Sequence, residues 1–219
     1  MLCFVSALIL AGCQHAADQT TIGSQDNEKQ NRYIFFLHNR FLEENDLQAA
    51  HPEYGKVNYN EIIQSFKDDG FIVISEKRNP STDVKLYARK VVSQMDSLGK
   101  IGIKPSQITV IGTSKGGYIA QYVSTFFANP EANYVFIGCF QDSDIVNMPD
   151  INFCGNILTI YEKTDRLGVS AIKRKETSKL KVNQFKEIEL DTKLKHGFLY
   201  RALPQWINPS KRWARQDFR

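Results

Sequence analysis

Apolar positions along the chain fall into two alternating patterns. Short continuous runs rich in β-branched and aromatic residues recur at Tyr33–Leu37, Phe71–Ile74, Ile108–Ile111, Tyr134–Cys139, Asn156–Tyr161 and Phe185–Leu190. Runs of that length without alternation predict strands buried on both faces, as in a parallel sheet. Between them the apolar spacing shifts to three and four. Ile62, Ile63 and Phe66 mark one helix over Tyr59–Phe66. Val84, Tyr87, Val91, Met95 and Leu98 mark a second, with Ser81-Thr82-Asp83 as its N-cap cluster and Gly99 at its end. Tyr118, Ile119, Tyr122 and Val123 mark a third, running to about Asn129-Pro130. Helices are also expected over Val169–Leu180 and Phe198–Ile207, and a polar loop over Phe41–Asn58. Strands alternating with helices predict an α/β fold: a three-layer α/β/α sandwich around a mostly parallel six-stranded sheet.

One junction carries chemistry. The strand Ile108–Ile111 runs into Gly112-Thr113-Ser114-Lys115-Gly116, and a helix starts directly after it. Small residues flanking a serine let the chain turn sharply and present the hydroxyl at the top of the sheet, above a helix N-terminus whose N–H groups are unpaired. The Gly-x-Ser-x-Gly pattern in this strand–helix setting resembles the nucleophile elbow of the α/β-hydrolase superfamily. The resemblance covers roughly Tyr33 to Ile207, with no counterpart of the superfamily's first two strands. It implies strand order 2-1-3-4-5-6, counting the strands as they occur here, and a crevice above the first and third.

A serine nucleophile needs a base, and histidine titrates in the useful range. Of the four histidines, His15 lies near the N-terminus, His51 in a polar loop and His38 beside the expected oxyanion loop. His196 follows the last strand, where this fold places its base. Asp165 follows the fifth strand, so the order Ser114…Asp165…His196 matches the superfamily order. Asp142 and Asp144 are rivals for the acid. His38-Asn39-Arg40 stands where the superfamily often has His-Gly-x, with Asn in place of Gly. The backbone N–H groups of Arg40 and Lys115 are the expected oxyanion donors. Lys115 is unusual, because a cation opposes the dipole at a helix N-terminus. It is expected to pair with Glu43, Glu44 or Glu76, or else to meet an anionic or polar substrate group.

Charge and composition narrow the function. The 219 residues carry a formal net charge of +4, mostly interspersed, and 42% are apolar. No zinc-finger cysteine pairs, RNP-like aromatic motif or long basic arm points to nucleic acid. The basic run Ile172–Lys186, with Lys173, Arg174, Lys175, Lys179, Lys181 and Lys186, reads as a solvated face, or as one turned to anionic lipid. No metal or organic cofactor is expected.

Met1–Gly12 is apolar and uncharged, the length of a signal-peptide core, and Leu10-Ala11-Gly12-Cys13 resembles a bacterial lipobox. The expected division is a signal peptide over residues 1–12, a lipid-anchored tether over 13–31 reaching roughly 20–25 Å, and one hydrolase domain over 32–219. Cys13 would carry the lipid, and Gln14 after it favours the outer membrane, facing the periplasm. The basic stretch that usually precedes such a core is absent, which leaves open whether Met1 is the true start. Cys139 and Cys154 fall at opposite edges of the sheet, too far apart for a disulfide.

The expected activity is hydrolysis of a carboxylic ester at the cell envelope by a lid-less serine hydrolase, since little chain separates the fourth and fifth strands. The substrate is expected to be a small molecule or an acylated group. A peptidase or acyltransferase on the same triad, or an inactive binding module on the same fold, are the alternatives. Oligomeric state and acyl chain length are not readable.

Overall fold

The computed structural model describes residues 31–219. The expected signal peptide and the anchoring cysteine, Cys13, lie outside them, as does all of the tether but Asn31.

The chain forms β1 (Tyr33–Leu37), α1 (Phe41–Glu44), β2 (Ala50–His51), β3 (Gly55–Lys56), α2 (Tyr59–Asp68), β4 (Ile72–Ile74), α3 (Val84–Lys100) and β5 (Ile108–Thr113). There follow α4 (Lys115–Phe127), β6 (Asn133–Ile137), α5 (Asp144–Asn147), β7 (Gly155–Glu162), α6 (Ile172–Thr177), β8 (Val182–Leu190) and α7 (Pro204–Ala214). Six strands make one sheet in the order β4-β1-β5-β6-β7-β8, parallel at every pairing. This is the order expected from the sequence.

Alternation along the central strands sends successive side chains to opposite faces. Ile34 and Phe36 join Ile111, Val135, Ile137 and Trp206 under α2 and α7. Phe35 and Leu37 join Val110, Tyr134, Val91 and Ile119 under α3 and α4. Both faces are therefore dry, which is why the strands read as unbroken apolar runs. The Asp83 carboxylate caps α3 by accepting the Leu86 N–H at 2.8 Å.

Three expectations need correction. Phe41–Asn58 is not a plain loop: it holds α1 and a two-stranded hairpin of β2 and β3. Val169–Leu180 is helical only over Ile172–Thr177, because the Ser178 hydroxyl bonds Arg174 O and ends the turn. The last helix is not Phe198–Ile207. Lys195–Tyr200 is a 3-10 segment, and α7 begins at Pro204. Pro204 holds Leu203 extended, at φ −71° and ψ 129°, and fits the first helical position itself.

Cys139 and Cys154 are buried free thiols. Between them lies the one-turn α5. Among the described residues no helix is long and apolar enough to cross a membrane.

Candidate active site

The site is built at the C-terminal ends of β1, β5, β7 and β8. Register pairs Leu37 with Gly112 and Thr113 with Ile137, which brings the loops after β1 and β6 alongside Ser114. Ser114 has φ 51° and ψ −121°, a conformation that costs a non-glycine residue about 1–3 kcal/mol. Two glycines permit it. A Cβ on Gly116 would lie 2.0 Å from Leu37 O, and one on Gly112 would lie 2.2 Å from Gly116 O. The Ser114 N–H continues the ladder to Ile137 O at 2.9 Å, and its carbonyl accepts from Gly117 N at 2.8 Å, so strand, turn and helix share one residue.

Three distant side chains converge there. The Ser114 hydroxyl lies 2.9 Å from His196 Nε2, and His196 Nδ1 lies 2.6 Å from Asp165 Oδ2. A carboxylate only accepts, so Nδ1 holds the proton and Nε2 is left to accept from the serine. His196 and Asp165 are buried, and Ser114 is partly exposed. Asp165 Oδ1 accepts the Leu167 N–H at 2.8 Å, which fixes the carboxylate. The rival acids are engaged elsewhere. Asp144 accepts from Tyr118 and from Gln141 N, and Asp142 pairs with Lys173.

Glu162, at the end of β7, ties the acid loop to the base loop. It is fully buried and accepts from Thr164 N at 2.7 Å and from Thr192 N and Lys193 N at 3.0 Å each. Burial works against its charge, but the hydrogen bonds from Thr164, Lys193 and Thr192 prevail and hold its carboxyl below the ordinary range. Sequence reading missed this role; an acidic residue closing an apolar strand was the available signal. The hairpin of β2 and β3 backs the imidazole. The Tyr54 ring stands edge-on to His196 at 6.2 Å, and Glu53 pairs with Lys195 at 2.8 Å. His51 stacks on Tyr54 at 4.5 Å and accepts the Glu53 N–H at 3.1 Å, so it shapes the hairpin and does not reach the serine.

A second buried network adjoins the first. Glu43, on α1, receives Arg78 Nε at 2.6 Å on one oxygen and Lys115 Nζ at 2.5 Å on the other. Of the expected partners for Lys115, Glu43 is the one in contact; Glu44 pairs with Arg40, and Glu76 with Lys90. His38 lines this network. Its Nε2 accepts the Arg78 N–H at 2.9 Å, and its Nδ1 lies 2.7 Å from Asn39 O, which makes it a neutral Nδ1–H imidazole. Burial, then the charge of Arg78, pushes its pKa down to about 3.

One cleft opens at Ser114 and a second at Asp165. The first, of about 770 Å³, is lined by Arg40, Lys85, Ser114, Lys115, Tyr118, Tyr122 and Met148 among others. The other, of about 720 Å³, is lined by Tyr54, Asp165, Arg166 and Lys195, and Leu167 borders both. Arg40 opens α1 on the wall of the first cleft, whereas Asn39 is buried and its side chain accepts the Leu42 N–H at 3.2 Å. Lys115 opens α4, so its N–H has no intrahelical acceptor. Among the described residues no cluster of three or more His, Cys, Asp or Glu is placed to hold a metal ion.

In the basic run, Arg174 departs from the solvated-face reading. It is buried and donates to Ile151 O at 3.1 Å and to Asp144 O.

No protein-family model and no curated protein sequence matches the chain. Solved structures do. SOBER1 of Arabidopsis thaliana superposes with a TM-score of 0.57 at 12% identity, over 86% of this chain and 100% of that one. An arylesterase superposes at 0.60 and 13%, over 87% and 77%. MGS-M1, an α/β-hydrolase enzyme from a deep-sea metagenome of the Medee basin, superposes at 0.57 and 13%, over 88% and 87%. At such identities the likeness establishes the fold: an α/β-hydrolase sheet flanked by helices.

Proposed function

We propose that the protein is a serine hydrolase that cleaves carboxylic esters through an acyl-enzyme on Ser114. The observation that carries this is the unbroken hydrogen-bonded chain from Asp165 through His196 to Ser114, ending at a cleft. In the first step His196 Nε2 takes the hydroxyl proton as Ser114 Oγ attacks the ester carbonyl. The tetrahedral oxyanion is held by the backbone N–H groups of Lys115 and Arg40, each worth about 3 kcal/mol of transition-state stabilisation. His196 then gives its proton to the departing alcohol. Water, deprotonated by the same imidazole, attacks the acyl-enzyme and releases the acid. Asp165 holds the productive tautomer and stabilises the imidazolium. The chemistry draws only on these groups.

Support comes from the fold as well. Its structural neighbours include proteins described as an arylesterase and an esterase/lipase, and another, EstE5, was soaked with p-nitrophenyl butyrate. The open clefts and the one-turn α5 favour acyl groups that are small or surface-exposed. We place the enzyme at the bacterial envelope, on a lipid carried by Cys13; palmitate incorporation lost in Cys13→Ser tests the address.

The activity is tested with p-nitrophenyl esters of increasing chain length. Turnover by the wild type that disappears in Ser114→Ala is the expected result. Turnover that survives this substitution overturns the proposal.

A further inference from the structure

The Arg78–Glu43–Lys115 network contains two cations and one carboxylate. Glu43 and Arg78 have fully covered side chains, and that of Lys115 is 18% exposed. The nearest further carboxylate, Glu76, lies beyond the Tyr87 ring that packs on Arg78, and it is paired with Lys90. His38 is neutral, and the Tyr59 and Tyr87 hydroxyls are held protonated, burial being the first cause in both. One positive charge is therefore left over. Lys115 is the member that lines the first cleft, next in sequence to Ser114. An ammonium has three N–H donors, and Glu43 takes one of them.

The rest of that cleft has two characters. Arg40 and Lys85 add positive charge at its walls, each already paired with a carboxylate, Glu44 and Asp150, and the one carboxylate among the lining residues, Asp83, is turned to its cap of α3, accepting the Leu86 N–H at 2.8 Å. Tyr118, Tyr122 and Met148 add apolar surface. The cleft is thus suited to a group that is apolar along its length and negatively charged where it meets Lys115.

We propose that the first cleft is a subsite for esters bearing an anionic group, a carboxylate or a phosphate, received by the free N–H donors of Lys115. This rests on the serine-hydrolase reading and names its substrate class. The surplus charge also favours the oxyanion, but it does so for every ester, so the discriminating quantity is a ratio.

That ratio is kcat/KM for an anionic p-nitrophenyl ester over a neutral one of equal length, measured with a glutarate half-ester, a phosphate-ended ester and the valerate ester. At low ionic strength the wild type is expected to prefer an anionic ester by about 5- to 10-fold. The preference should shrink as salt is added, disappear in Lys115→Met and persist in Lys115→Arg. Whichever of the two anionic esters shows the larger loss in Lys115→Met identifies the anion. A ratio unchanged by Lys115→Met, or a wild-type preference for the neutral ester, overturns the subsite while turnover dependent on Ser114 keeps the hydrolase reading standing. Turnover indistinguishable between wild type and Ser114→Ala on all three esters overturns both.

Discussion

Two networks of three residues meet at the top of β5, and each is anchored on a buried carboxylate. In one, Asp165 orients His196, which accepts from Ser114 at 2.9 Å. In the other, Glu43 divides its two oxygens between Arg78 and Lys115. The first contains an imidazole whose Nε2 lone pair faces the serine hydroxyl. The second contains an arginine that never deprotonates, so it moves nothing. Its product is a fixed positive potential beside Ser114. The contrast teaches that reactivity and electrostatic background are built here as separate devices. One depends on alignment and the other on paired burial, and substitutions should separate them.

The widest separation is expected from Asp165→Asn. With the imidazole tautomer no longer enforced, kcat should fall by about 10⁴-fold, which steady-state kinetics would show. The melting temperature should stay close to that of the wild type. Glu43→Ala should do the reverse in kind. It strands the buried Arg78 guanidinium and leaves Lys115 unpaired, and urea unfolding should report a loss of about 3–5 kcal/mol. If Asp165→Asn proves the more destabilising of the two, the division of labour fails.

His38 sharpens the second network by its response to acid. Its folded pKa of about 3 lies below the usual histidine value of 6.5, so the unfolded chain takes up the proton first as pH falls. The stabilisation is complete above about pH 6.5 and is lost as pH drops toward 3. By pH 4.5 the loss should be on the order of 3 kcal/mol. Unfolding measured from pH 7 to 4.5 should show this slope, and His38→Gln should flatten it. An identical slope in the variant would remove His38 from the network's energetics.

The smallest effect on stability belongs to the elbow. Ser114→Gly relieves a positive φ and should raise stability by about 1–2 kcal/mol while abolishing turnover. A destabilised glycine variant would mean that the serine conformation is not strained.

The two networks differ in how much of each could be read in advance. Ser114, Asp165 and His196 were legible because each follows a strand, and the strands announce themselves as apolar runs. The parallel sheet was legible for the same reason, and its strand order came from the resemblance that the Ser114 turn carries. The Glu43 fork was legible only in part. A charge opposing a helix dipole flagged Lys115 and three candidate partners, but Glu43 and Arg78 sit in polar stretches with no periodicity. Burial there is decided by tertiary charge pairing, which no local pattern records. The hairpin behind His196 was missed because its two strands have two residues each. The last helix was misplaced because apolar spacing ran across Arg201–Leu203, where Pro204 forces an extended backbone.

The most direct measurement is peptide mapping after reaction with a fluorophosphonate probe, whose phosphorus is attacked by an activated serine with loss of fluoride. A single adduct on the peptide containing Ser114, absent in His196→Ala, is expected. An unlabelled Ser114 in folded wild-type protein, or labelling that does not depend on His196, would contradict nucleophilic activation at this site.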